Sequence, residues 1–144
     1  MTIEFTSMTP EQVEQFLAVP RNVVMGTVRK DGSPQLSAIW FVYRDGKLYT
    51  TVYNSSAKYF NIKRDPRVVV CVNAAHPDAR SVTLFGTAEL HDKTSDIFAQ
   101  IDRELALRYH DTVEAAEAYM NIADDDASSL IVVTPSKIIS QDYR

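Results

Sequence analysis

Between Lys47 and Arg64 the chain carries four basic side chains and no acidic one, within a protein of formal net charge -4. There Thr50-Thr51-Val52-Tyr53-Asn54-Ser55-Ser56-Ala57-Lys58 reads as a strand feeding a short helix. A helix N-terminus already bears partial positive charge on its unpaired N–H groups, so a first-turn lysine is electrostatically misplaced unless an anion sits beside it. Backbone amides, the hydroxyls of Ser55 and Ser56 and the Lys58 ammonium make a phosphate cradle that needs no glycine-rich loop. A plain reading stands beside it: Ser55 or Ser56 caps the helix with or without a ligand, and Lys58 is solvated.

A second candidate surface lies upstream. Over Gln35 to Tyr43, strand periodicity puts Gln35, Ser37, Ile39, Phe41 and Tyr43 on one face and Leu36, Ala38, Trp40 and Val42 on the other. The second face is wholly apolar and is expected to face the core. The first must then meet water, a partner chain or a ligand, and Gln35 and Ser37 can hydrogen-bond a flat heterocycle. A face bearing Ile39, Phe41 and Tyr43 is too apolar to leave in water, which points to an interface between subunits.

Other reactive residue types form no constellation. His76, His91 and His110 are isolated, without metal-ligand spacing. Cys71, alone within Val68-Val69-Val70-Cys71-Val72, reads as a core thiol. No serine, histidine and acidic residues fall into a triad motif, and four glycines make neither a dinucleotide fingerprint nor a P-loop. Tyr43, Tyr53 and Tyr59 suit either packing or the wall of a substrate pocket.

The elements that must position these residues are legible in order. Thr9-Pro10-Glu11-Gln12 has the pattern of a capping box with proline at the first helical position, and that helix ends near Val19-Pro20. Strands are expected at Val23 to Arg29, Gln35 to Tyr43 and Lys47 to Tyr53, separated by two Asp-Gly hairpin turns. A helix from about Ser56 to Asp65 stops before Pro66. Val68 to Asn73 reads as a strand buried on both faces, and Ser81 to His91 as the next strand. Ile97, Ile101, Leu105 and Tyr109 recur at helical spacing after Thr94-Ser95-Asp96, and a further helix covers about Thr112 to Asn121. Beyond the acidic run Asp124-Asp125-Asp126, Leu130 to Ser140 supplies a last strand, bent or at an edge because of Pro135.

Six mainly antiparallel strands in one domain spanning residues 1–144 favour a small barrel, because closure removes exposed edges. A sequence pI near 5.3 with no basic arm argues against a nucleic-acid or anionic-membrane binder. No apolar run reaches the ~20 residues of a membrane span, and the first residues do not resemble a signal peptide, so a cytoplasmic protein is expected.

Several segments together carry a family resemblance. Gly26-Thr27-Val28-Arg29-Lys30-Asp31-Gly32-Ser33-Pro34-Gln35-Leu36-Ser37, Trp40-Phe41 and Ser56-Ala57-Lys58 are followed by Asn61-Ile62-Lys63-Arg64-Asp65-Pro66-Arg67 and Phe85-Gly86-Thr87-Ala88-Glu89-Leu90. In this order the chain resembles the pyridoxamine-phosphate-oxidase-like split barrels over about residues 8 to 140. It looks most like their actinobacterial branch that uses the deazaflavin coenzyme F420, to which Ile138-Ile139-Ser140-Gln141-Asp142 is also similar. The resemblance implies a homodimer of six-stranded split barrels, mainly β with flanking helices, with cofactor sites at the subunit interface. It places the coenzyme phosphate near Ser56 and Lys58 and the ring system near Gln35, Ser37, Thr50 and Thr51. Many resembling proteins carry arginine where this chain has Ser56, a change that weakens the phosphate grip. The implied activity is hydride transfer between F420 and an unsaturated or conjugated small molecule. FMN in place of F420, or a non-catalytic carrier of either, is the alternative.

Overall fold

The computed structural model of the protein describes residues 7–122 and 127–144; the acidic run Asp124-Asp125-Asp126 lies outside them. Helix α1 (Pro10–Leu17) opens with the expected capping box. Thr9 Oγ1 accepts from the Gln12 N–H at 3.2 Å, and Gln12 Oε1 accepts from the Thr9 N–H at 2.8 Å. Strands β1 (Asn22–Val28) and β2 (Pro34–Ile39) form a hairpin, as do β3 (Val42–Arg44) and β4 (Lys47–Tyr53). The second turn holds Asp45 at φ 52° and Gly46 at φ 77°, the left-handed pair that a two-residue hairpin demands. Helix α2 (Ala57–Arg64), β5 (Arg67–Asn73) and β6 (Arg80–Asp92) follow, then α3 (Asp96–Arg108), α4 (Val113–Ile122) and β7 (Ser128–Asp142).

The sheet has seven strands in the order β2-β1-β5-β6-β7-β4-β3, every pairing antiparallel. The expected single strand Gln35 to Tyr43 is two strands. Its ladder breaks at Trp40-Phe41, and the halves pair at opposite ends of the sheet, β2 with β1 and β3 with β4. Strands adjacent in sequence but terminal in the sheet force it to curl until its ends approach. The result is a barrel that is split rather than closed.

That break also reverses the expected faces. Ile39 and Phe41 are buried in the barrel core, whereas Leu36 is 67% exposed and Ala38 is exposed. The barrel interior takes Gln35, Ser37 and Ile39 because it has polar partners for the first, described below. Strand β5 is not buried on both faces either. Val68, Val70 and Val72 point inward, while Val69 and Cys71 are exposed, so Cys71 is not a core thiol. The strand buried on both faces is β7 at Leu130–Val133, because α3 covers the outside of β4 and β7. There Val42, Tyr49, Leu130 and Val132 pack with Phe98, Ile101 and Leu105 as a second core.

Strand β7 is bent, as Pro135 requires, but it is central rather than at an edge. Its register jumps between Phe85↔Lys137 and Gly86↔Pro135, and that bulge accommodates the residue that cannot donate. Gly86 is obligatory here, since a Cβ would lie 2.2 Å from the Thr134 carbonyl oxygen.

Candidate functional site

The loop after β4 delivers the basic helix. The Ser56 N–H donates to the Tyr53 carbonyl at 3.0 Å, closing a turn, and the Asn54 N–H donates to the Ala127 carbonyl at 2.9 Å. Ser129 Oγ donates to Asn54 Oδ1 at 2.7 Å, so the turn is tied to the start of β7. Ser56, not Ser55, is the N-cap of α2, and its hydroxyl accepts from the Tyr59 N–H at 3.4 Å. Lys58 therefore stands in the first turn, half-buried, and no carboxylate among the described residues lies within ion-pair distance of it. Burial lowers its pKa from the ordinary lysine value, because a desolvated ammonium without a counter-charge is disfavoured.

Lys58 borders a cavity of about 760 Å³ at the split of the barrel. The walls come from both sheet ends: Val23 and Ile39 from β1 and β2, Thr50, Thr51 and Val52 from β4. Because the cavity wraps around the sheet edges it also touches outward-facing Val24 and Ala38. Helices α3 and α4 close the far side with Phe98, Asp102, Tyr119 and Met120. Trp40, at the ladder break, stacks on Tyr109 with centroids 5.0 Å apart and planes 6° apart, and Tyr119 tilts against it at 5.3 Å. Burial, with the neighbouring Tyr53 and Asp102, raises the Tyr119 pKa and keeps the phenol protonated. A volume of this size, many apolar wall residues and three lining cations, Arg21, Lys93 and, at a helix N-terminus, Lys58, suit a flat aromatic ligand bearing an anionic group.

Of the residues singled out from sequence, Thr50, Thr51, Ser56 and Lys58 meet in this cavity, as does Tyr53. Gln35, Ser37 and Ser55 are not among its lining residues. Gln35 Oε1 accepts from Thr27 Oγ1 at 3.0 Å inside the barrel, and Ser37 Oγ is buried without a hydrogen-bond partner among the described residues. Tyr43 and Tyr59 pack against the main core. Sequence reading missed Arg21, Trp40, Phe98, Tyr109 and Tyr119 as lining residues. Trp40 was the one with a signal, as the only tryptophan, but its periodicity assigned it to the core.

The chain is matched by the family model described as pyridoxamine 5'-phosphate oxidase over residues 9–142. No curated protein matches it. Among solved structures it is similar to a conserved hypothetical protein of Mycobacterium tuberculosis, 22% identical, with TM-score 0.80 over 98% of this chain and 91% of that one. It is also similar to an F420 reductase at 27% identity and TM-score 0.68, covering 90% of this chain and 98% of the other. A heme storage protein of Vibrio cholerae, HutZ, shares the fold at 15% identity and TM-score 0.73, over 90% and 92% of the two chains. The split antiparallel sheet and a family match spanning almost the whole chain agree: this protein belongs to the pyridoxamine 5'-phosphate oxidase family.

Proposed function

We propose that the protein is an oxidoreductase that transfers a hydride between coenzyme F420 and an unsaturated or conjugated small molecule. Its family binds flavin or deazaflavin cofactors and includes oxidoreductases, and one similar structure is an F420 reductase. The observation that carries the reading is Lys58: a half-buried ammonium with no carboxylate partner among the described residues, in the first turn of α2, on the wall of a cavity large enough for a tricyclic ring.

In this reading Lys58 and Ser56 hold the coenzyme phosphate, while Thr50 and Thr51 offer hydroxyls to the ring system. Trp40, Tyr109 and Tyr119 form the wall that excludes water. Gln35 and Ser37 act from inside the barrel by supporting these elements, and Ser55 by shaping the turn before the cap. When bound, a reduced deazaflavin supplies a hydride and reacts poorly with oxygen. FMN carries a terminal phosphate that the same cradle accepts, so FMN chemistry, or carriage of either cofactor without turnover, is the alternative.

The functional unit is proposed to be a homodimer. Ile39, Phe41 and Tyr43 do not form the interface, since they face the core. The candidate is the outer face of β2, β1 and β5, where Leu36, Val24 and Val69 are 67%, 40% and 37% exposed beside Ala38 and Cys71. Cross-strand register makes it one patch: Val24 lies opposite Ala38 and Cys71, and Gly26 opposite Leu36 and Val69. A partner there would also cover the cavity mouth at Val24 and Ala38.

Parallel titrations with F420 and FMN test the cofactor, and turnover of quinones and enones with reduced F420, followed at the coenzyme absorbance band, tests the reaction. Tighter FMN binding would reverse the assignment, and tight F420 binding without turnover on any acceptor would favour a carrier. Sedimentation of wild type and Leu36→Glu tests the dimer: a 32 kDa species should become 16 kDa.

A further inference from the structure

A second cavity, about 320 Å³, lies where α1, the start of β1 and the ends of β6 and β7 meet. Its walls include the arginines Arg21, Arg80 and Arg144 and one carboxylate, Asp142, with Gln12 and Gln15 from α1 and the Phe16 ring. Two of the three guanidinium groups are paired edge-on. Arg80 donates to Asp78 through Nε at 2.9 Å and Nη2 at 2.6 Å, and Arg144 to Asp142 through Nε at 2.9 Å and Nη2 at 2.8 Å. Among the described residues, neither pair engages Nη1 of its arginine. Arg21 has no carboxylate within ion-pair distance among the described residues. Its Nε donates to the Phe16 carbonyl at 2.7 Å and its Cζ lies 3.8 Å over the Phe16 ring, and its terminal nitrogens make no hydrogen bond among the described residues.

Three cations and the Asp142 carboxylate thus line one concave site, Asp78 pairs with Arg80 without lining it, and the surplus charge sits on Arg21, the arginine without an ion pair among the described residues. Arg21 pays for this: burial and the nearby Arg80 charge both lower its pKa, only partly offset by Asp78. Asp78 and Asp142 act as braces, each fixing one guanidinium plane by two hydrogen bonds so that its remaining N–H groups point in a set direction. Preset planar donors, two side-chain amides and net positive charge are the chemistry that recognises a small oxyanion.

We propose that this cavity is an oxyanion site, taking inorganic phosphate or a small carboxylate on Arg21, Arg80 and Arg144. An anion there would cancel the Arg21–Arg80 repulsion and use the donor edges that Asp78 and Asp142 leave open. Arg21 also lines the larger cavity, so the two sites meet at one side chain. The site stands independently of which cofactor the larger cavity takes.

The test is calorimetric titration of the full chain with inorganic phosphate at low ionic strength. Wild type should bind saturably, and Arg144→Gln and Arg80→Gln should each weaken binding at least fivefold. Arg144 is exposed, with its side chain paired to Asp142 at the surface, so its variant folds even if Arg80→Gln does not. Lys30→Gln, which removes an exposed charge in the β1–β2 turn, should bind as wild type. Absence of saturation, or equal weakening by Lys30→Gln, overturns the site. Loss of binding in Lys58→Ala with Arg144→Gln unaffected would also overturn it, by placing the phosphate in the larger cavity.

Discussion

The Asn61 carboxamide donates to Thr27 Oγ1 at 3.1 Å, a buried bond joining the middle of α2 to β1. Thr27 donates onward to Gln35 Oε1 at 3.0 Å, and Arg64 Nη2 donates to Asn61 Oδ1 at 3.0 Å and to the Val28 carbonyl at 2.7 Å. The last turn of α2 is thereby locked to the first hairpin, which sets where Lys58, one turn earlier, presents its ammonium. Asn61→Ala should cost about 1–3 kcal/mol, the penalty for stranding buried partners, and should lower the melting temperature by several degrees. Cofactor affinity should fall with it, although Asn61 does not line the cavity. A melting point equal to wild type would show that the network does not hold the helix.

For Lys58→Ala two effects of opposite sign are expected. Cofactor binding should weaken by about 1.5–3 kcal/mol, the range for a hydrogen bond to a charged group. Apo stability should rise by roughly 0.3–1 kcal/mol, because a cation leaves the positive end of a helix. The pH dependence has a definite sign as well. The folded pKa of Lys58 lies below 10.5, so the folded apo protein is penalised at pH values below that folded pKa, and the penalty fades as pH rises toward 10.5. Melting temperatures across this alkaline range should rise less steeply in the variant. A solvated lysine would alter neither affinity nor stability, and a structural ion pair would lose stability on mutation.

Trp40 is the only tryptophan and lines the cavity, so it reports on occupancy without labelling. A flavin or deazaflavin bound there should quench intrinsic fluorescence saturably, with the same midpoint as the calorimetric titration. Trp40→Phe should keep much of the stacking on Tyr109 while abolishing the signal. Full binding without quenching would place the ligand elsewhere.

Acid should expose two ion pairs. Hydrogen bonds from Arg67 hold the Asp65 pKa down at about 2, and those from Arg144 hold Asp142 at about 2, against an ordinary value of 3.8. Depressed carboxylates contribute stability that is complete above 3.8 and is lost as pH falls toward 2. The double variant Asp65→Asn, Asp142→Asn should therefore show a shallower loss of stability between pH 4 and 2 than wild type. Parallel acid-unfolding curves would refute the assignment.

Much of the architecture was legible because it is written locally. The Thr9 capping box, the two Asp-Gly turns and the spacing of Ile101 and Leu105 each act within a few residues. What was misread depends on distant neighbours. The alternation of Leu36 and Ala38 against Ser37 and Ile39 has two solutions, and the choice between them rests on Thr27, itself held by Asn61, being available to Gln35. Val69 and Cys71 read as buried because their strand is apolar throughout, and nothing nearby in sequence says that a helix covers β7 and not β5. At the site, Ser56 and Lys58 announced themselves by charge and capping chemistry. Tyr109 and Tyr119 did not, since only the docking of α3 and α4 brings them to a cavity whose floor is formed some sixty residues earlier.

The Trp40-Phe41 link has a mechanical consequence. It is the sole covalent bridge between the two rims of the sheet at the split, and from Ile39 to Val42 it can reach no farther than about 11 Å when fully extended. The opening is leashed at one end, so the sheet has little freedom to widen around a bulky guest. Breathing must come instead from α3, which rests on the other rim and carries α4, and which is held to β3 by Arg44 pairing with Glu104 and to α1 by Arg108 Nη2 donating to the Leu17 carbonyl at 3.1 Å. Guest size is thus governed by how far a helical flap can lift from two arginine latches, while the strands keep a fixed gauge.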